Sequence, residues 1–200
     1  VGCEFSQRVT IAFRNKGHEA YSCDILPTEG DHPEWHFQED VLMVLKREKF
    51  DLGIFFPPCT HLAVSGARWF PEKIKDGRQQ AGIDFFMALV NAPIEKIAIE
   101  NPIGIMSTRY RKPDQIVQPF QFGEAYSKST CLWLKNLPLL KPTKLVEPKI
   151  ILLNSKETRS GKSRYSYLSN LAHYGLKRSI TPEGLATSMA VEWQISRDNK

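Results

Sequence analysis

The sequence is short of cysteine and histidine, with four Cys and five His in 200 residues. Cys3, Cys23, Cys59 and Cys131 are widely spaced and form no C-x-x-C pair. That spacing excludes a secreted disulfide framework and argues against structural zinc, so the expectation is free thiols in the cytoplasm and no metal. No apolar run approaches the length of about 20 residues that a membrane span needs. The opening lacks the basic, hydrophobic and small-residue succession of a signal peptide, and "VGCEF" reads as a strand already in progress. No internal repeat, low-complexity tract or interdomain linker is visible, which points to one domain over residues 1–200. Charge of one sign is scarce too. The excess of Lys and Arg over Asp and Glu is only +5, compatible with a polyanionic partner without requiring one.

What is present is alternation. "SQRVTIAFRNKGH" has helical spacing, with Ser6 as N-cap and Gly17 as terminator. "EAYSCDIL" is a short strand ending in an acid, and "HFQEDVLMVLKREK" carries a helical apolar stripe. "FDLGIFF" is a strand stopped by Pro57 and Pro58, and Pro71 suits the first turn of a helix reaching Asn91. Strands "KIAIE" and "STCLWL" follow, and Thr181-Pro182-Glu183 opens a last helix. Strand and helix in turn predict an α/β fold with a doubly wound, mostly parallel sheet. The stretch 137–178 is the least regular. Its piece "NSKETRSGKSRYSYLSN" mixes basic residues with Tyr165 and Tyr167, as a solvated loop or a nucleic-acid contact does.

The residues with chemical potential sit at strand ends. Cys59 follows "FFPP", where a stiff backbone holds it at the carboxyl edge of a strand, the place open α/β sheets keep their ligand sites. A thiol there is either packing or a covalent nucleophile. Glu100 ends the strand of "IAIENPIG" and is followed by Asn101 and Pro102. With one helix and one strand between them, a parallel crossover would bring Cys59 and Glu100 out at the same edge.

"PPCT" and "ENP" together resemble the Pro-Pro-Cys and Glu-Asn-Val motifs of the DNA cytosine-5 methyltransferases. The stretch from Pro57 to Trp69 is similar to the "PPCT.LAVSGARW" signature of a group of short, phage-type, methyltransferase-like proteins. Looser similarity covers "CEFSQRVTIAFRNKGHEAYSCDI", "KPDQIVQPFQFG" and "RSITPEGLATSMAVEW". The resemblance implies a Rossmann-like fold that takes S-adenosyl-L-methionine as cofactor and DNA as partner, in the host cytoplasm if phage-encoded. It also implies a Cys59 thiolate adding to carbon 6 of cytosine, Glu100 near N3, and a base flipped out of the duplex. The loop "THLAVSGARWF" would close over it, with Ser65-Gly66 giving freedom.

Residue roles carry over position by position. Cofactor contacts fall to the first turn (Cys3, Glu4, Phe5, Ser6), to Asp24 and Ile25 after the second strand, to Asp40 and Val41, and to Pro57. Substrate contacts fall to Pro58, Thr60, Ser65, Asn101 and Pro102, with Lys128, Arg109, Arg111 and Arg164 as basic candidates. The chain departs from the family in three places. "CEFSQR" replaces the usual glycine-rich turn, and no segment matches the arginine-bearing motif, where Lys128 stands instead. A small region at 137–178 also replaces the large target-recognition region, which implies a relaxed sequence preference or a substrate other than duplex DNA.

Other readings stay open: an enzyme applying the same thiol chemistry to a free pyrimidine nucleotide, and a non-catalytic relative that binds DNA or cofactor. A Cys59/His61 hydrolase has poor geometry, since the two lie two residues apart on a turn. An amino-methyltransferase needs an aromatic ring where Cys59 stands.

Overall fold

Short β-branched and aliphatic runs make the strands here, and the longer amphipathic runs between them make the covering helices. The computed structural model describes residues 1–148 and 180–195. The basic stretch with Lys156, Arg164, Tyr165 and Tyr167 lies outside the described residues. In chain order the described elements are α1 (Arg8–Asn15), β1 (Ser22–Asp24), β2 (His36–Gln38), α2 (Val41–Arg47) and β3 (Leu52–Phe55). Next come α3 (Phe70–Lys75), α4 (Arg78–Val90), β4 (Lys96–Pro102), α5 (Met106–Arg109), β5 (Gln115–Val117), β6 (Thr130–Lys135) and α6 (Glu183–Glu192).

Strands β1 and β2 form a parallel pair, and a four-stranded sheet runs in the order β3-β4-β6-β5. Gly2 links the two, bridging in parallel to Cys23 of β1 and to Phe55 of β3. Its N–H donates to the Ile54 carbonyl at 2.8 Å and its carbonyl accepts from Phe56 at 3.0 Å. Strands β3 and β4 are parallel, with Phe55 opposite Ile99. Strand β6 is antiparallel to both β4 and β5.

The architecture is α/β with a mixed sheet: β1–β2, β3–β4 and both Gly2 bridges are parallel, as alternation predicts, and among the described strands only the pairings of β6 are antiparallel. The connection from β5 to β6 carries only a single 3-10 turn, at Pro119–Gln121, where a parallel return requires a crossover. Each strand splits its side chains between two cores by its period of two. Ile54, Ala98 and Leu132 pack under α1 and α6 with Val9, Phe13, Met189 and Trp193. Phe55, Ile97, Ile99 and Trp133 face Val44, Phe86 and Leu89 of α2 and α4. No helix among the described residues is long and apolar enough to cross a membrane.

Several local expectations change. Ser6 does not cap α1; the buried Glu4 carboxylate does, accepting from the Val9 N–H at 2.6 Å and the Thr10 hydroxyl at 2.8 Å. The helix expected from Pro71 to Asn91 is broken at Gly77, whose φ of 79° only glycine adopts cheaply. Strands β2 and β5, three residues each, carry too little pattern to be seen in advance. The start of the expected 137–178 insertion packs on the body: Gln115 and the Leu140 backbone exchange two hydrogen bonds, and Trp193 Nε1 donates to the Pro138 carbonyl.

Where a glycine-rich turn is missing, Gln7 takes the left-handed conformation (φ 57°) and is fully buried. Its amide nitrogen donates to the His32 carbonyl at 2.7 Å and the Ser22 hydroxyl at 3.2 Å, while its oxygen accepts from the His32 N–H at 3.2 Å. The side chain thus fastens the segment after β1 over the first turn. Gln7→Ala should cost about 2 kcal/mol, because those bonds go and the left-handed strain stays. Gln7→Gly should be the milder change by about 1 kcal/mol, since glycine adopts that backbone freely. Urea unfolding of both variants decides it, and an alanine variant as stable as the glycine one refutes the strain argument.

Candidate active site at the carboxyl edge of the sheet

The two residues with the most chemical potential leave neighbouring parallel strands at the same end. Phe55 is opposite Ile99, so the chain into Pro57, Pro58 and Cys59 departs level with Glu100, Asn101 and Pro102. Asn101 ties the strands together there. Its side chain is 1% exposed and its amide nitrogen donates to the Pro57 carbonyl at 2.8 Å. Its Oδ1 is buried and has no partner among the described residues.

Beyond the prolines the two loops are stitched backbone to backbone. Val64 N–H donates to the Ile103 carbonyl and Ile105 N–H to the Leu62 carbonyl, both at 3.0 Å, around an antiparallel bridge between Ala63 and Gly104. Gly104 allows this contact, because a Cβ there would run into the Leu62 carbonyl. The Cys59 carbonyl accepts from both Leu62 and Ala63, which closes a tight turn directly after the thiol. Cys59 itself is half-buried, with Pro58, Thr60 and Ser65 exposed around it.

Glu100 is the electrostatic centre. Its side chain is 14% exposed, and burial pushes its carboxyl above the usual 4.5. The Lys128 ammonium, 3.8 Å from Oε1, and the Thr130 hydroxyl pull the other way. A carboxyl so placed keeps a proton more readily than a solvated one and can donate a hydrogen bond. Lys128 is held by a neighbour that sequence reasoning missed: the Gln118 side chain accepts from its N–H at 2.9 Å and donates to the Ser129 hydroxyl at 2.7 Å. Two more missed residues fasten the Cys59 loop. The nearly buried Lys73 donates to the Thr60 carbonyl at 2.6 Å, and buried Gln79 donates to the His61 carbonyl at 3.4 Å. Their only advance signal was polar character on helices that line a core.

The basic candidates separate. Arg111 pairs with Asp114 at 2.7 Å and donates to the Leu134 carbonyl, at the far end of the antiparallel β6 from the Thr130–Pro102 pair. It is thus drawn towards the end of β6 away from Glu100. Arg109 is exposed at the end of α5. Arg164 lies outside the described residues.

At the other half of the edge the expected cofactor residues fall into groups. Cys3 is left-handed (φ 58°), and its thiol is pushed up to about 12 by burial first, then by the Asp24, Cys23 and Asp40 negative charges. Asp24 Oδ1 accepts from the Leu26 N–H, and Ile25 beside it is 74% exposed. Asp40 caps α2 through the Leu42 N–H at 2.8 Å. Three residues are turned inward instead: Glu4 caps α1, while Phe5 and Val41 belong to the buried interior, so only backbone is left to them as a contact. Ser6 lines a surface groove of about 320 Å³ with Arg8, Glu29 and Glu183. Pro57 is buried and offers its carbonyl to Asn101. Among the described residues no group of three His, Cys, Asp or Glu could hold a metal ion.

The raised carboxyl has a consequence for stability. Glu100 binds its proton more tightly in the folded chain than in the unfolded one, where it titrates near 4.5. The stabilisation linked to that proton is complete below the unfolded value and is lost as pH rises through the folded value. Glu100→Gln removes this loss, so the variant should gain stability over the natural chain as pH rises above 4.5 and lose the advantage as pH falls back to it. Parallel pH–stability profiles in urea unfolding would show that burial does not perturb this acid. No family model matches the chain and no curated protein matches it, so the chemistry of the site rests on its own geometry.

Proposed function

We propose that the protein is an S-adenosylmethionine-dependent methyltransferase that modifies carbon 5 of cytosine in DNA through a Cys59 adduct, like the cytosine-5 methyltransferases its motifs resemble. The observation that carries the reading is the pairing of two strand ends. A half-buried cysteine after two prolines and a largely buried glutamate, its carboxyl raised by desolvation, leave adjacent parallel strands, and the Asn101 amide fastens one to the other.

The topology supports it. Counting the single bridging residue Gly2 as a first strand, the order β2, β1, Gly2, β3, β4 resembles the 3-2-1-4-5 order of dinucleotide-binding sheets, whose switch point would lie beside Gly2. An antiparallel β6 then stands between β4 and β5. Cofactors of such sheets sit over the carboxyl ends at the switch point. The residues there suit S-adenosylmethionine. Asp24 would take the ribose hydroxyls, exposed Ile25 would offer an apolar face to adenine, and the acids near Cys3 would suit a cationic ligand.

S-adenosylmethionine bound there would supply an electrophilic methyl group, with S-adenosylhomocysteine as the leaving product. The chain's own groups do the rest. The Cys59 thiolate adds to carbon 6, and the electron pair of the C5–C6 double bond becomes available at carbon 5. Glu100 donates a hydrogen bond or its proton to N3, which accommodates the negative charge spreading into the ring. Lys128 limits how far the carboxyl rises, so Glu100 can still release its proton to N3; the proton goes back when the C5–C6 double bond re-forms and N3 loses the basicity that the adduct gave it. Once carbon 5 carries the methyl group, its proton leaves to water, the C5–C6 double bond re-forms and Sγ departs from carbon 6. Asn101 is a positioning residue, since it holds Pro57 and through it Cys59.

With S-adenosylmethionine labelled in its methyl group, label should reach DNA. Cys59→Ser should abolish transfer while leaving cofactor affinity, measured by calorimetry, unchanged. Glu100→Gln should slow transfer by about 100-fold or more, the share of a positioned proton donor. Asp24→Ala should weaken cofactor binding by about tenfold, the value of one charge-assisted hydrogen bond. Full transfer by Cys59→Ser would sink the covalent mechanism.

A further inference from the structure

Opening "THLAVSGARWF" as a lid, as its Ser65-Gly66 pair suggests, would break an unusual number of buried contacts. Leu62 is fully buried in the core with Phe86 and Leu89. Its carbonyl and the Val64 N–H are bonded to the Glu100 loop, and the Gln79 side chain reaches the His61 carbonyl from α4. The ammonium of Lys73, a residue 7% exposed, donates to the Thr60 carbonyl at 2.6 Å. Moving the root of the loop away would leave an ammonium in the interior without its acceptor, a costly state. Residues Val64–Trp69 are wound into a 3-10 helix instead of a free hinge.

On this fixed wall and on the Glu100 loop bonded to it, apolar side chains face solvent. Trp69 is 50% exposed, Val64 53% and Ile103 44%, and the Arg68 guanidinium lies 4.9 Å from the centre of the Trp69 ring. An exposed indole with a guanidinium beside it is the pair of tools that holds single-stranded nucleic acid, by base stacking and by phosphate attraction.

We infer that the substrate is cytosine in single-stranded or otherwise unpaired DNA. The inference rests on the reading of Cys59 and Glu100 given above. A base in a perfect duplex must be unstacked and unpaired before it reaches a thiol, and that cost is least for a base already unpaired. A wall that stays in place does not travel into the helix to offset it. It offers a preformed pocket, with Trp69 as a platform for a neighbouring base.

The test uses the full chain, S-adenosylmethionine and an oligonucleotide pool carrying 5-fluorodeoxycytidine in random flanking sequence. Fluorine at carbon 5 leaves no proton to eliminate, so Sγ stays joined to carbon 6 and the adduct accumulates. The same pool is offered as single strands and as perfectly paired duplex. Adduct should form at least about tenfold faster on single strands, the size of effect that unpairing one base implies. An equal or faster rate on duplex overturns the inference and leaves the Cys59 chemistry standing. No adduct on either form overturns the chemistry itself, and the inference with it. Trp69→Ala should raise the dissociation constant for a single-stranded oligonucleotide by about tenfold and Trp69→Phe should restore most of it, as stacking requires. An unchanged constant in the alanine variant overturns the stacking role.

Discussion

One buried amide organises the candidate site. Proline has no N–H, so the Pro57-Pro58 pair gives the chain two rigid steps and no donor with which to join the sheet. The Asn101 side chain makes that join from the neighbouring strand, by donating to the Pro57 carbonyl. The bonds at Val64–Ile103 and Leu62–Ile105 continue the seam, and Gly104 admits it by having no side chain. Two loops that would each fray from a strand end thereby become one rigid unit, and the orientation of Cys59 relative to Glu100 follows from it.

Around that unit, burial sorts the titratable groups. Three thiols are pushed out of reach of ordinary chemistry: Cys3 to about 12, Cys23 to about 11 and Cys131 to about 11, each chiefly by desolvation. Glu100 is raised for the same reason, but an acid gains a use from it, because a carboxyl that keeps its proton can donate. Glu4 is raised by burial too, yet its bonds to Val9 and Thr10 commit it to the start of α1. Two acids with the same perturbation thus have different uses, decided by whether backbone donors already occupy them.

The local patterns carried a good deal of this. A proline pair after "LGIF" and an acid at the end of "IAIE" marked strand ends, and the crossover rule then set β3 and β4 side by side. The Lys128–Glu100 pair is only half visible in the sequence: the place of Lys128 in the chain makes it a candidate, but its nearness to Glu100 depends on β6 lying antiparallel against β4. Arg111, equally basic and equally near an apparent motif, went to the far end of the same strand. Gln7, Lys73, Gln79 and Gln118 had no signal at all, since a single polar residue in an apolar neighbourhood does not announce its partner.

The sequence alone determined the α/β alternation, the strand ends that carry Cys59 and Glu100, and the identity of the chemically potent groups, because these follow from periodicity and from residues with unusual backbone or side-chain chemistry. Tertiary structure decided the direction of β6, the capping of α1 by Glu4 instead of Ser6, the left-handed Gln7 clamp and the fixing of the Cys59 loop. Each depends on contacts between residues far apart in the chain, whose energies exist only once burial has removed water as the competing partner.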